Sequence, residues 1–386
     1  MARHQSATVT LAPTTTASLE RMPLPRQARL SPVAVAGSVA VFYALWLTLY
    51  IVNGHPPDHM YGEDGTFCYR IALNPGTLSG IDVPPYRYMR ILYPLVARLL
   101  ALGQAGVIPY TLVLVNYLAV VGGTLAVAAW LARRQVSPWY ALLYGFYPGL
   151  VLATAHDLTE PLAYGLVALA VYLFDFGPHN GLTRAISSAG VFALASLTRE
   201  TSLVFALLYA VALLLRTKPL DAGVRRTILF LLIACAPFAL YKLFLWRWLG
   251  TLSVPDTVLP VVIPFGGLLA RWPWSGYEVV GIEAIVVPSL LFAALALLAL
   301  RNGQRSVEIW SVLLHVQIFT VMLAPFSYAD LLAHARIVTG TVLAAALCIP
   351  ATQGIRRRGL VLAAVALAWA TFIVPWLAIA MLMHTS

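Results

Sequence analysis

The stretch PVAVAGSVAVFYALWLTLYIV, residues 32–52, contains no charged side chain. At 1.5 Å rise per residue it is long enough to cross the hydrocarbon core of a bilayer as a helix. It ends in Tyr50-Ile51-Val52-Asn53 without a small-x-small cleavage pattern, so it reads as a retained signal anchor. The rest of the 386-residue chain repeats this character, being 60% hydrophobic and only 10% charged. Soluble domains carry about 25% charged residues, so a large water-soluble domain is excluded. Continuous Leu- and Ala-rich runs without period-2 alternation point to helices rather than a barrel.

Apolar runs predict spans near 32–52, 107–131, 138–155, 160–175, 185–199, 201–215, 227–248, 278–300, 307–325, 336–352 and 359–382. The fold class is therefore all-α, a polytopic membrane protein of about eleven transmembrane helices. Residues 1–30 are polar and Thr-rich, the composition of a disordered cytoplasmic tail, and residues 31–386 form a single membrane domain. The net charge of +10 would suit nucleic acid, but the basic residues sit in short clusters between apolar runs. With the N-terminus inside, Arg133/Arg134, Arg184, Arg216/Lys218/Arg225/Arg226, Arg301/Arg305 and Arg356/Arg357/Arg358 all fall on the cytoplasmic face. Nucleic acid is thus not an expected partner. The three cysteines, Cys68, Cys235 and Cys348, lie in different segments and read as apolar fillers.

This parity requires Met89 to Leu102, interrupted by Arg90, Pro94 and Arg98, to lie in the interface rather than cross. The extracytoplasmic face then carries two long loops, 53–106 with interfacial helices and 250–277 with Trp272 and Trp274. Short spans on either side of Leu197-Thr198-Arg199-Glu200-Thr201 predict a cavity reachable from outside. Both signs of charge gather on that face: Glu63, Asp64, Arg70, Arg87, Arg90, His156, Asp157, Glu160, Arg199, Glu200, Lys242, Arg247, Arg271, Asp330, His334 and Arg336. Charge near hydrocarbon is costly, which makes the collection a candidate site.

Asp64 stands in MYGEDGTFCYRIALNP, residues 60–75, directly after the first span. A carboxylate there can serve as a general base, or as the acidic N-cap of a helix beginning at Thr66. Glu160, followed by Pro161, reads as a helix start, with a weaker site reading for Asp157. His55, Asp58, His59 and Asp64 are a metal alternative, weakened by Pro56 and Pro57, which deny the histidines a common helix face. His315 is expected to bond a neighbouring helix.

The acidic Glu63-Asp64 pair after the first span, the following YRYMRILYPL (86–95), DLTEPL (157–162) and LTRET (197–201) resemble the GT-C superfamily of polytopic glycosyltransferases. The nearest similarity is to GPI-type mannosyltransferases and bacterial lipid-linked-sugar transferases, and it covers most of residues 32–215. The resemblance implies a multi-pass plasma-membrane enzyme moving a sugar from a polyprenyl-phosphate donor to a lipid, glycan or protein acceptor. Asp64, or Glu63, would be its catalytic carboxylate. Arg87, Arg90, Asp157, Arg199, His334 and Arg336 would bind substrate. No cofactor is implied throughout, although a divalent metal takes part in some of the family. A transporter or lipid flippase, or a non-catalytic scaffold of envelope synthesis, are the rival classes.

Overall fold

A computed structural model describes residues 26–60, 64–177, 181–252 and 259–382. Among them every regular element is helical. Helix α1 (Arg26–Val52) is followed by three short helices outside the long runs: α2 (Asp64–Leu73), α3 (Pro84–Tyr88) and α4 (Leu92–Leu100). The first helix thus begins at Arg26, inside the expected tail. The interfacial segment forms as α4, but Arg90 just before it is buried rather than turned to the headgroups.

Helix α5 (Ile108–Arg133) and α8 (Glu160–Phe176) run side by side in the same direction. Asn116 Nδ2 donates to the Leu158 carbonyl at 3.0 Å, and Trp130 Nε1 donates to Asp175 Oδ2 at 3.0 Å. Between these bonds Gly123 meets Gly165 so closely that a Cβ on Gly123 would sit 2.9 Å from the Gly165 Cα, a small-residue contact typical of membrane helices. Parallel neighbours need a return crossing. The expected span 138–155 supplies it in pieces: a 3-10 turn Pro138–Ala141, α6 (Leu142–Gly145) and α7 (Pro148–Ala155). Pro148 starts a new helix, because it fits a first turn and cannot donate within a continuing one.

Next come α9 (Gly181–Thr198), α10 (Leu203–Arg216) and α11 (Leu220–Leu249). The second long loop carries α12 (Gly266–Leu269), and α13 (Gly276–Gly281) runs through a π turn at Ile282–Val286 into α14 (Val287–Arg301). Helix α15 (Val307–Val316) ends in a π turn, Gln317–Val321. The chain closes with α16 (Pro325–Ala329), α17 (Leu331–Ile337), α18 (Thr339–Cys348) and α19 (Arg358–Leu382). The loop before α12 folds back on the chain after α15: Val261 N donates to Met322 O at 2.8 Å and Phe265 N to Val321 O at 2.7 Å.

Among the described residues, five helical stretches are long and apolar enough to cross a membrane: Pro32–Val52, Ile108–Arg133, Leu220–Leu249, Gly276–Arg301 and Leu331–Thr352. Two shorter apolar helical stretches are Val307–Val321 and Arg358–Ile373. The most apolar window of Leu331–Thr352 is 89% buried and that of Leu220–Leu249 only 17%. The former is therefore central, and the latter turns Leu240, Leu243, Phe244 and Trp246 outward, as suits a hydrocarbon surrounding.

Charge collects at the two ends of the bundle. Where α5 and α8 finish, Asp175 accepts from Arg134 at 2.6 Å and Arg216 at 2.9 Å, and its carbonyl accepts from Arg184 at 3.0 Å. These arginines belong to the clusters that the positive-inside rule assigns to one face. The opposite end, where α5 and α8 begin, holds the second collection.

Candidate functional site

Local chain geometry brings that second collection together. Gly65, in the first turn of α2, packs on the α7–α8 junction so tightly that a Cβ would lie 2.0 Å from the His156 carbonyl oxygen. Only glycine permits that approach, and it sets Asp64 beside the start of α8. The junction turns at Asp157, a non-glycine residue with φ of 51°. Glu160 is the first residue of α8, Arg199 occupies the extended break between α9 and α10, and Arg336 lies in the last turn of α17.

Asp64 is ion-paired twice, with Arg87 Nη1 and, at 2.5 Å, with Arg336 Nη2. Arg87 also grips Asp82, donating from Nε at 2.8 Å and Nη2 at 2.9 Å. Glu160, fully buried, faces Arg199 Nη1 at 2.6 Å and Arg336 Nε at 3.7 Å. Arg90 holds Glu200 with two bonds, Nη2 to Oε1 at 2.9 Å and Nε to Oε2 at 3.2 Å, and donates to the Tyr86 hydroxyl at 2.8 Å. Four carboxylates, Asp64, Asp82, Glu160 and Glu200, thus balance four guanidinium groups, Arg87, Arg90, Arg199 and Arg336.

These pairings decide the protonation states. Burial by itself would raise the Asp64 carboxyl, but Arg336, Arg87 and Arg90 together outweigh it and hold the group well below the usual carboxylate range. Glu200 follows the same balance: burial raises it, and Arg90 and Arg199 bring it down to about 2. Asp157 differs. Its carboxyl is fully buried with the Tyr93 hydroxyl as polar neighbour, and desolvation drives it well above the usual range.

Three cavities meet at this network. The innermost, about 20 Å³, is walled by Asp64, Arg87, Arg90, Thr159, Glu160 and Arg336 and has room for one water. An open depression of about 580 Å³ lies on the Asp64 side, with Thr66, Arg70, Asp82 and Arg87 around it. A chamber of about 390 Å³ lies on the Arg90 side, its wall mostly apolar through Phe238, Phe319, Met322 and Leu323. Lys242, from the outward-facing helix α11, joins Arg90, Arg199 and Glu200 on the chamber's polar wall. Its Nζ contacts Met89 Sδ at 3.6 Å, and among the described residues no carboxylate pairs with it. Arg90 borders both the inner cavity and the chamber, and Asp64 both the inner cavity and the depression. The ion pairs form a partition between an apolar space and an open polar one.

Of the residues singled out in the sequence, Asp64, Arg87, Arg90, Arg199 and Arg336 converge here. Glu63 lies outside the described residues. Asp157 adjoins the network through its backbone, but its carboxyl lines none of the three cavities. His334 stands apart as well: its ring packs edge-on to Tyr328 at 4.9 Å, because residues two apart on a helix face different ways. Glu160 is both the helix start expected and the hub of two ion pairs. Glu200, Asp82 and Lys242 are further members that the sequence reading left among the general charges or did not select. His55 stacks on Tyr50 at 4.3 Å, and among the described residues no three His, Cys, Asp or Glu converge as a metal site. His315 bonds its own helix, Nδ1 to Ser311 O at 2.7 Å, rather than a neighbouring one.

Comparison with known proteins finds no matching family model, no similar curated protein and no similar solved structure. The site is therefore argued from its geometry.

Proposed function

We propose that the protein is a multi-pass plasma-membrane glycosyltransferase of GT-C type, with about eleven spans. It would transfer a sugar from a polyprenyl phosphate to an acceptor hydroxyl on the extracytoplasmic side. The observation that carries this reading is the partition: a carboxylate facing an open polar depression, backed by arginines that face an apolar chamber. A lipid-linked sugar needs both sides, since its tail stays in hydrocarbon while its anomeric carbon must meet a water-borne or interfacial hydroxyl. The tail occupies the chamber, and the phosphate lies against Arg90, Arg199 and Lys242. The acceptor, a lipid, glycan or protein hydroxyl, enters by the depression.

Asp64 takes the hydroxyl proton as the acceptor oxygen bonds to the anomeric carbon. The carbon–oxygen bond to the phosphate breaks, and its electron pair leaves on the phosphate, where guanidinium donors stabilise it. A carboxylate in two ion pairs is a weak base, so the donor has a second task. Its phosphate, lying against Arg90 where the chamber meets the inner cavity that Arg336 and Arg87 wall, draws those two guanidinium groups across that cavity and loosens their hold on Asp64. A divalent ion does not suit this donor set, because it would have to displace two guanidinium groups from the same carboxylate.

The test is transfer by the purified protein in lipid nanodiscs, offered a panel of polyprenyl-phosphate sugars with extracted envelope acceptors. Asp64→Asn keeps size and removes basicity, and should cost about 10² to 10⁴ in rate while the donor binds at least as tightly as to the parent, because its phosphate no longer competes with Asp64 for Arg336 and Arg87. Glu63→Gln is the comparison. Loss only in the Glu63 variant moves the base by one residue, and undiminished transfer by both overturns the mechanism. Lipid movement between leaflets without a new glycosidic bond would favour a flippase instead.

A further inference from the structure

At the end of the bundle away from the Asp64 network, the broken return crossing leaves a gap between α1 and α19. A groove of about 460 Å³ fills it, walled by Phe42, Trp139, Leu143, Phe146, Trp369 and Ile373. Its lining is almost wholly apolar. The gap follows from the interruption at Pro138–Gly145, where a 3-10 turn and one turn of helix replace a full-length neighbour for α1. Trp369 is fixed at the back, donating from Nε1 to the Ala284 carbonyl at 3.0 Å and packing on Tyr147 at 5.1 Å.

The head of the groove is cationic. Tyr140 forms part of the wall, and the Arg358 guanidinium lies over its ring at 5.3 Å, with Nη2 3.3 Å from its hydroxyl. Nη1 of Arg358 is buried and has no hydrogen-bond partner among the described residues. Arg358 has no carboxylate partner among them either: of the acids at this end, Asp175 is taken by Arg134 and Arg216, and Glu308 accepts from the Tyr209 hydroxyl at 3.3 Å. Exposed Arg356 and Arg357 precede it. Half-exposed Trp139 and the Tyr140 hydroxyl mark the headgroup level, where amphipathic aromatic rings settle. An apolar slot descending from an unpaired guanidinium matches an amphiphile with an acyl tail and an anionic head.

We infer that the groove between α1, the broken segment 138–146 and α19 binds one anionic phospholipid, its phosphate on Arg358 and an acyl chain along Phe146 and Trp369. A zwitterionic lipid offers the same tail but carries its own cation beside the phosphate, which opposes Arg356, Arg357 and Arg358. The site therefore discriminates by head and retains by tail. This inference is independent of the proposed transferase activity.

The experiment is native mass spectrometry of the full chain released from nanodiscs of equal phosphatidylglycerol and phosphatidylcholine. The parent protein should retain one phosphatidylglycerol in preference to phosphatidylcholine. Arg358→Gln should reduce that preference about five-fold, the effect of one basic residue at a membrane surface. Arg225→Gln with Arg226→Gln, which removes two charges elsewhere on the basic face, should leave it unchanged. Ala370→Trp, which fills the groove, should lower retention of both lipids alike. Preference that survives Arg358→Gln, or that falls equally in the Arg225/Arg226 variant, overturns the assignment. So does full retention in Ala370→Trp.

Discussion

The ion pair between Glu160 and Arg199 gives a measurable test of how the charged network is held. Glu160 is fully buried and the Arg199 side chain is 4% exposed, with 2.6 Å between them. Glu160→Gln takes from Arg199 its direct carboxylate, leaving it the Thr159 hydroxyl at 3.4 Å and the more distant charge of Glu200, whereas Arg336 keeps its bond to Asp64. Removing one partner of a buried pair costs about 3–5 kcal/mol, because the remaining desolvated charge loses its direct counter-charge. Arg199→Gln should fall at the low end of that range, since Arg336 Nε at 3.7 Å still faces the stranded Glu160. The double variant carries two neutral amides and no stranded charge from this pair. It should be more stable than the sum of the single losses implies, by roughly 1–3 kcal/mol of coupling. Unfolding in mixed micelles under a denaturant gradient, followed by tryptophan fluorescence, gives the four free energies. Arg216→Gln is the internal contrast. Its side chain is 47% exposed and Asp175 keeps Arg134, so the loss should stay below about 1 kcal/mol. If the Glu160 and Arg199 losses add within about 0.5 kcal/mol, the pair is not coupled and the network described here is not what holds α8 to the α9–α10 break.

Asp64 and Asp157 should respond oppositely to pH. The depressed Asp64 stabilises fully above the ordinary carboxylate pKa near 3.9 and loses that contribution as pH falls through its lower folded value, so Asp64→Asn should flatten the acid limb of a melting-temperature profile. The raised Asp157 binds its proton more tightly when folded, so stability falls as pH rises above about 4; Asp157→Asn should be the more stable protein at neutral pH and gain little in acid. Gly65→Ala puts a methyl group against the His156 carbonyl and should cost about 1–3 kcal/mol, measured by the same denaturant unfolding. Single cysteines introduced at exposed Arg70 and Arg225, with the three native cysteines replaced, should label from outside and only after permeabilisation respectively; labelling of both from one side would refute the two-ended arrangement of charge.

The arginines of the network were legible in the sequence because a guanidinium in an apolar chain must be accounted for, wherever it falls. Arg87, Arg199 and Arg336 stood out for that reason alone, although they come from three distant segments. The acids were harder. An acid at the first position of a helix, as Glu160 is, looks the same whether it faces water or closes two buried ion pairs. Only the approach of α2, permitted by Gly65, and the position of Arg336 distinguish the two cases. His334 and Arg336 are two residues apart and shared one reading, but a helix sends them to different neighbours. The run 138–155 was legible as apolar and returning, whereas its breaks were not, because Pro148 inside an apolar run also occurs in kinked continuous helices. The groove that those breaks create could not be read from the sequence at all.

The charge balance of the network bears on the proposed reaction. The four acids and four arginines of the network sum to zero as the protein stands, with Lys242 the additional cation on the chamber wall. A sugar phosphodiester brings one negative charge, which Lys242 offsets at low cost because no carboxylate has to be displaced first. During transfer the hydroxyl proton passes to Asp64, which becomes neutral, while the departing lipid phosphate becomes a dianion. The sum over the site is unchanged, and one negative charge has crossed the partition from the depression side to the chamber side. Arg336 and Arg87 are pre-placed for that displacement: as Asp64 loses its charge their attraction to it falls, just when the phosphate gains the charge that draws them. An unpaired base would lack this compensation, and arginines committed to an acid that never changed charge could not supply it. On this reading the ion pairs that make Asp64 a weak base in the resting protein are the same groups that stabilise the leaving phosphate in the transition state.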